Sequence, residues 1–266
     1  MSTLTNLFQK VKRKLISLLL WSERYTKTDM LYLARSGAWL VLRRAVLMGS
    51  AFALALAFAN LVSKETYGTY KYILSTVSIL STLTLSGMGT AIIQSVARGF
   101  DKTLIDGYKI KFKWDIIASI ISLGLGIYYF ANGNAAFAIV YWFFAALFPF
   151  WDAASHYDDY LQGKTDFKTS ARFDALQQFA LAVALIAAIF FYPEKFAVFV
   201  ILWLVIQTFF TTWYYRKIKN LIPANAASDP QAITYAKHLS VFSIITVVSD
   251  RLDNILIFQL LGPAQL

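Results

Sequence analysis

Ionisable side chains inside long apolar runs are the first place to look for chemistry, because a charge in such a run must pair, snorkel or line a wet cavity. Asp250, Arg251 and Asp253 interrupt an otherwise apolar segment, and the two carboxylates, three residues apart, share a similar helical face. Either carboxylate could neutralise Arg251, bind a coupling cation or take up a proton, and a change of protonation would bias one conformation over another. The alternative is a buried ion pair that orients the segment. Arg43 and Arg44 break the first long apolar run. A guanidinium stays charged and presents a planar fork that matches phosphate oxygens. Neighbouring residues point about 100° apart on a helix, so both cannot face one cavity, and the pair could equally anchor the run at the headgroups.

His156, Asp158 and Asp159 form the one cluster that hints at metal binding or hydrolysis. With no second histidine nearby, they read as a solvated, charged loop. His238 is assigned no role. The chain has no cysteine, which excludes disulfides, thiolate metal sites and a cysteine nucleophile. Gly87 with Gly89, and Gly124 with Gly126, lack the preceding strand and following lysine of a phosphate loop, and read as places where helices approach closely. Asp152 and Pro149 read as a helix terminus. Trp114, Trp142, Trp151, Trp213, Tyr214 and Tyr215 read as interfacial anchors, with sugar stacking by Tyr141 or Trp142 as the lesser reading. No cofactor and no metal are implied.

The elements that position these residues are transmembrane helices. Of 266 residues 58% are apolar and 15% charged, against roughly 25% charged in a soluble domain. Apolar runs of about 20 residues suffice to cross a hydrocarbon core as helices, whereas a barrel would alternate apolar and polar residues. Span one covers residues 36–62 and span two residues 72–97. The run 116–151 is too long for one crossing and folds at Asn132-Gly133-Asn134, giving spans three and four. Residues 175–192 and 196–215 form spans five and six around Pro193-Glu194-Lys195. Residues 216–237, with Pro223 and Pro230, read as a linker, and a seventh apolar segment starts at Ser240. Residues 4–19 place Leu4, Leu7, Phe8, Val11 and Leu15 on one face, as in a basic helix lying in the headgroup plane; a frayed tail is the alternative.

The net charge of +10 would suit nucleic acid were it not confined between the spans. Nine Lys and Arg precede the uncharged part of span one, five lie in residues 98–113, three in 164–172 and four in 216–237. Lys64, Lys71 and Lys195 are on the other side, and Arg251 lies inside the seventh segment. The positive-inside rule then predicts a multi-pass protein with a cytoplasmic N-terminus and linker, and no nucleic-acid partner.

Three local patterns carry a family resemblance. Asn60-Leu61-Val62-Ser63-Lys64-Glu65-Thr66-Tyr67-Gly68-Thr69-Tyr70 resembles the first external turn of the polysaccharide flippases of the multidrug/oligosaccharidyl-lipid/polysaccharide exporter superfamily. Ser86-Gly87-Met88-Gly89-Thr90-Ala91 with Arg98 resembles their second helix, and Leu161-Gln162-Gly163-Lys164-Thr165-Asp166-Phe167-Lys168 the loop before their fifth. The resemblance implies an all-α membrane protein of two six-helix lobes. On that reading residues 1–29 are a basic cytoplasmic segment, 30–215 the six-span N-terminal lobe, 216–239 the linker and 240–266 the start of a second lobe. Leu260-Leu261-Gly262-Pro263-Ala264 stands where Leu61-Val62-Ser63-Lys64-Glu65 stands in the first lobe, so the sequence is expected to be the first half of a protein of roughly twelve spans.

The function so implied is translocation of a lipid-diphosphate-linked oligosaccharide across the inner membrane by alternating access. Arg43, Arg44 and Arg251 would bind the diphosphate, and Asp250 and Asp253 would act as coupling or ion-pair groups. The implied partners are the polyprenyl-diphosphate substrate, membrane lipids and the second lobe. A cation-coupled small-molecule exporter, a membrane-bound enzyme of glycan assembly relying on His156 or Asp158, and a structural membrane subunit remain as alternatives.

Overall fold

The computed structural model describes Trp21, Tyr25 and residues 30–265, so the expected amphipathic helix at residues 4–19 lies outside the described residues. Among the described residues every long element is an α-helix. In chain order these are α1 (Met30–Leu61), α2 (Lys64–Thr82), α3 (Met88–Ala97), α4 (Thr103–Ala131) and α5 (Ala135–Ser155). They continue with α6 (Tyr157–Gly163), α7 (Phe167–Phe191), α8 (Phe196–Lys219) and α9 (Ala232–Leu261), and a 3₁₀ turn at Pro263–Gln265 follows. Five stretches among the described residues are long and apolar enough to cross a membrane: Ser36–Leu61, Thr103–Ala131, Ala135–Gly163, Phe167–Phe191 and Phe196–Lys219.

Short polar residues punctuate these helices for local reasons. Ser63, Asn134 and Asp166 are N-caps whose side-chain oxygens accept from the amides of Thr66, Phe137 and Thr169. Each satisfies a donor that the first helical turn cannot use. Both hairpins form where turn chemistry places them: Gly133 takes φ 77° between α4 and α5, and α7 ends at Phe191 before Pro193. Arg216, Lys217 and Lys219 occupy the last turn of α8, where cations complement the helix dipole.

Residues 72–97, read as one span, are two helices. The chain breaks at residues 83–87, where Leu85 adopts φ 58°. Left-handed backbone is costly for a β-carbon residue, so this break persists only because its surroundings hold it. The loop expected at residues 98–113 is likewise mostly helix, since α4 begins at Thr103. The seventh segment begins at Ala232 rather than at Ser240.

The helices pack as the pairs α4 with α5, α5 with α8 and α7 with α8, while α1 lies against α7 and α9 against α2 and α3. Two apolar clusters result. One gathers Ile73, Leu80, Ala118, Tyr141, Phe148 and Leu185, and the other Leu85, Met88, Leu104, Ala154, Tyr214 and Ile218. In lipid such contacts hold helices together by close packing rather than by exclusion of water. Outward faces are apolar as well: Phe52, Ile120, Ile127, Phe179 and Phe190 are all exposed, as surfaces meeting acyl chains should be.

Candidate functional site

The seam between the two apolar clusters is polar, and it coincides with the broken helix. Going along the chain, Leu80 belongs to one cluster and Leu85 to the other, with Ser81 and Thr84 between them. Lys111 and Asp115 fall between Leu104 and Ala118 in the same way, and Asp152 between Phe148 and Ala154. All three charges are buried. Lys111 Nζ donates to Asp115 Oδ1 (2.9 Å) and to Thr84 Oγ1 (2.8 Å), and also to the Thr84 carbonyl and Asp152 Oδ2.

These contacts explain how a break can exist among apolar helices, where an unpaired backbone group costs several kcal/mol. The Thr84 carbonyl, lacking a helical partner, accepts from Lys111. The Leu85 carbonyl accepts from Met88 N (3.1 Å), and Gly87 N donates to Ser240 Oγ on α9 (2.9 Å). Charge accounting leaves a residue: one ammonium faces two carboxylates.

Beside this layer a cleft of 320 Å³ opens between α2, α5 and α8, lined by Ser78, Ser81, Thr82, Trp151 and Trp203. The two indoles meet edge to face at 5.0 Å. Ser81 links cleft and charge layer, because its hydroxyl donates to Asp152 Oδ1 (3.2 Å).

A second charged cluster forms on Arg43. Its guanidinium pairs with Asp158 Oδ2 (2.8 Å) on α6 and with Asp174 on α7, and donates to Ser170 Oγ (2.8 Å). Gln162 adds a donor to Asp158 (2.9 Å). A guanidinium fork is suited to two acceptors at once, and here both are carboxylates of the same chain. Arg44, pointing away, is exposed.

The remaining expected site residues are dispersed. Asp250 and Arg251 lie within α9, and their side chains are outside the described residues. Asp253 is exposed and accepts from the Asn254 amide. His156 is not in a solvated loop: it is 8% exposed, joins α5 to the packed helix α6, and meets Asp159 Oδ2 at 2.6 Å. The expectation failed because Tyr157, Tyr160 and Leu161 give that charged stretch a buried face. Asp152, read as a helix terminus only, is a member of the Lys111 layer. Tyr141 is fully buried, stacked on Tyr129 at 5.5 Å, and so presents no face for a sugar.

Sequence reasoning missed Lys111 and Asp115. The signal was present as a Lys and an Asp four residues apart leading into an apolar run.

The α9 helix completes the picture. Asn254 Nδ2 donates to Ser75 Oγ (3.1 Å), Gln259 Nε2 to Tyr72 OH (3.1 Å), and Gln94 Nε2 to Tyr235 OH (2.9 Å). Phe258 stacks on Tyr72 with ring centroids 3.9 Å apart. Residues before α9 are strapped down as well. Asp229 accepts from Ser95 Oγ (2.7 Å), Arg98 and the Gln231 amide (3.0 Å), while its own amide donates to Thr103 Oγ1 (3.0 Å).

Long apolar helices, a discontinuous helix at a buried charge layer, and polar seams between helices define an all-α, multi-pass membrane protein with the parts of a transporter. The chain belongs to the polysaccharide biosynthesis protein family, whose profile matches residues 33–266. No curated protein and no solved structure matches it significantly. Membership agrees with the resemblance to polysaccharide flippases carried by the three local patterns, and supports a polysaccharide-related membrane transporter in general.

Proposed function

We propose that this protein translocates a lipid-diphosphate-linked oligosaccharide across the cytoplasmic membrane by alternating access, with the helices described here forming one lobe of the transporter. The family match over residues 33–266, on a chain of membrane-spanning helices, carries this reading. The broken α2–α3 pair supports the mechanism, since discontinuous helices let backbone polar groups line a path that regular helices would close. In this reading the acyl tail stays in the bilayer while diphosphate and sugar cross beside the polar seam. Arg251 and Arg44 are the candidates for the diphosphate. Arg43 would join them only by exchanging Asp158 and Asp174 for phosphate oxygens, so its capture of substrate would also release α6 and α7 from α1. Asp250 and Asp253 would balance Arg251 between substrate loads.

Deleting the gene tests this directly. The expected result is loss of surface glycan with build-up of its lipid-linked precursor, restored by the full-length protein and not by its Arg251→Ala variant. Intact surface glycan after deletion, together with drug resistance on expression, would overturn it in favour of a small-molecule exporter.

A further inference from the structure

Two grooves run along the outward side of the bundle, one on each side of the Phe150 ring. The first, of 340 Å³, lies between α5 and α8 and includes Leu147, Phe209, Trp213 and Arg216. The second, of 390 Å³, lies between α4 and α5 and includes Tyr108, Lys109, Phe112 and Lys113. Phe150 lines both, and Phe112 meets it edge to face at 5.2 Å. Each groove is therefore apolar along its wall and carries cations: Arg216 in the first, Lys109 and Lys113 in the second. The two grooves adjoin, because Tyr108, which lines the second, stacks on Tyr215, the chain neighbour of Arg216, with centroids 4.3 Å apart.

The charge is one-sided. Among the described residues that line either groove none is acidic. Among the described residues Lys113 and Arg216 face no carboxylate at ion-pair distance, and Lys109 has only a long contact with Asp106 at 3.7 Å. Basic clefts between transmembrane helices are suited to anionic headgroups, and an indole such as Trp213 sits where acyl chains give way to headgroups.

We propose that the twin grooves hold one anionic glycerophospholipid, with its two acyl chains astride Phe150 and its phosphate between Arg216, Lys113 and Lys109. Two apolar channels on either side of one ring match a two-chain lipid, whereas a single polyprenyl chain would occupy only one. The site faces outward, away from the Lys111 seam, and stands independently of the transport reading above.

Native mass spectrometry of the full-length protein, exchanged in turn with phosphatidylglycerol, phosphatidylcholine and a polyprenyl phosphate, tests it. Retention of one phosphatidylglycerol in preference to phosphatidylcholine is expected. Arg216→Gln and Lys113→Gln should each weaken retention about fivefold, from about 1 kcal/mol per basic residue near anionic lipid. Both side chains are exposed, so the fold is kept, and Phe150→Ala should abolish the preference for two chains over one. Equal retention of phosphatidylcholine, insensitivity to the charge substitutions, or displacement of phosphatidylglycerol by the polyprenyl phosphate would each overturn the proposal.

Discussion

Lys111 is the residue on which most depends, because it serves two needs at once: it neutralises buried carboxylates and satisfies the carbonyl freed at the helix break. Removing one partner of a buried ion pair leaves an uncompensated charge, at a cost of about 3–5 kcal/mol. Lys111→Met should therefore lower the unfolding temperature in detergent sharply. Adding Asp115→Asn and Asp152→Asn to the same chain should recover part of the loss, and a single variant that unfolds like wild type would refute the role. Arg43 makes a graded comparison. Lys in its place keeps the charge but not the fork, so Arg43→Lys should retain the contact to one carboxylate and weaken α1 packing less than Arg43→Ala. Protease access to α1 in proteoliposomes would rank the two. Neither cluster was legible as a cluster in the sequence. Apart from the Lys111–Asp115 pair their members sit far apart along the chain, Arg43 and Asp158 being separated by 115 residues, and one sequence carries no information on such long-range pairing.

At the scale of elements, glycine spacing raised an expectation that the structure divides. A β-carbon at Gly87 would collide with the Ala236 carbonyl, with Leu239 Cβ at 2.6 Å and with Ser240 N at 2.9 Å, so this glycine is what lets α9 lie on the break. Gly126 is packed against Trp142 and Gly89 against Asp159, yet Gly124 has nothing within 4 Å. Gly87→Ala should thus push α9 away and Gly124→Ala should not. Because the chain has no cysteine, Gln94→Cys with Tyr235→Cys supplies a clean pair of thiols for a bismaleimide crosslink across that seam. The crosslink yield should fall with Gly87→Ala and stay level with Gly124→Ala; equal yields would refute the packing argument. The hairpins could be read from Asn132-Gly133-Asn134 and from Pro193 because turn residues declare themselves locally. The break at residues 83–87 could not, since Leu85 holds its left-handed conformation only through contacts that Lys111 and α9 make from elsewhere.

For the molecule as a whole, the stretch between α8 and α9 is a strap rather than a free tether. Burial pushes the Asp229 carboxyl up, but hydrogen bonds from the Gln231 amide and Ser95, with the Arg98 charge, outweigh it and hold the group below its ordinary value of 3.8. A carboxylate depressed in the fold stabilises fully above that ordinary value and loses its contribution only as pH falls through the lowered one. Proteolysis within residues 220–231 should accordingly stay slow from neutral to mildly acid pH and accelerate only in stronger acid. In Asp229→Asn it should be fast throughout, and acceleration of the wild type near neutrality would refute the strap. The opposite end has its own tie, where Ser63 and Thr66 donate to Glu194 at 2.6 and 2.9 Å and lower its pKa. Composition and apolar runs made the membrane class plain. They left the ties invisible, because a serine or aspartate in a loop looks the same whether it clasps a distant helix or faces water.

The pairing of α1 with α7 bears on how the chain is made. As it leaves the ribosome, α1 enters the bilayer carrying Arg43, while Asp158 is synthesised 115 residues later and Asp174 later still. During that interval Arg43 is an unpaired cation, held at the headgroups by the cost of carrying a bare charge into the hydrocarbon. Only when α7 inserts is that charge quenched, so the ion pair that joins the two helices also records the order in which they were born.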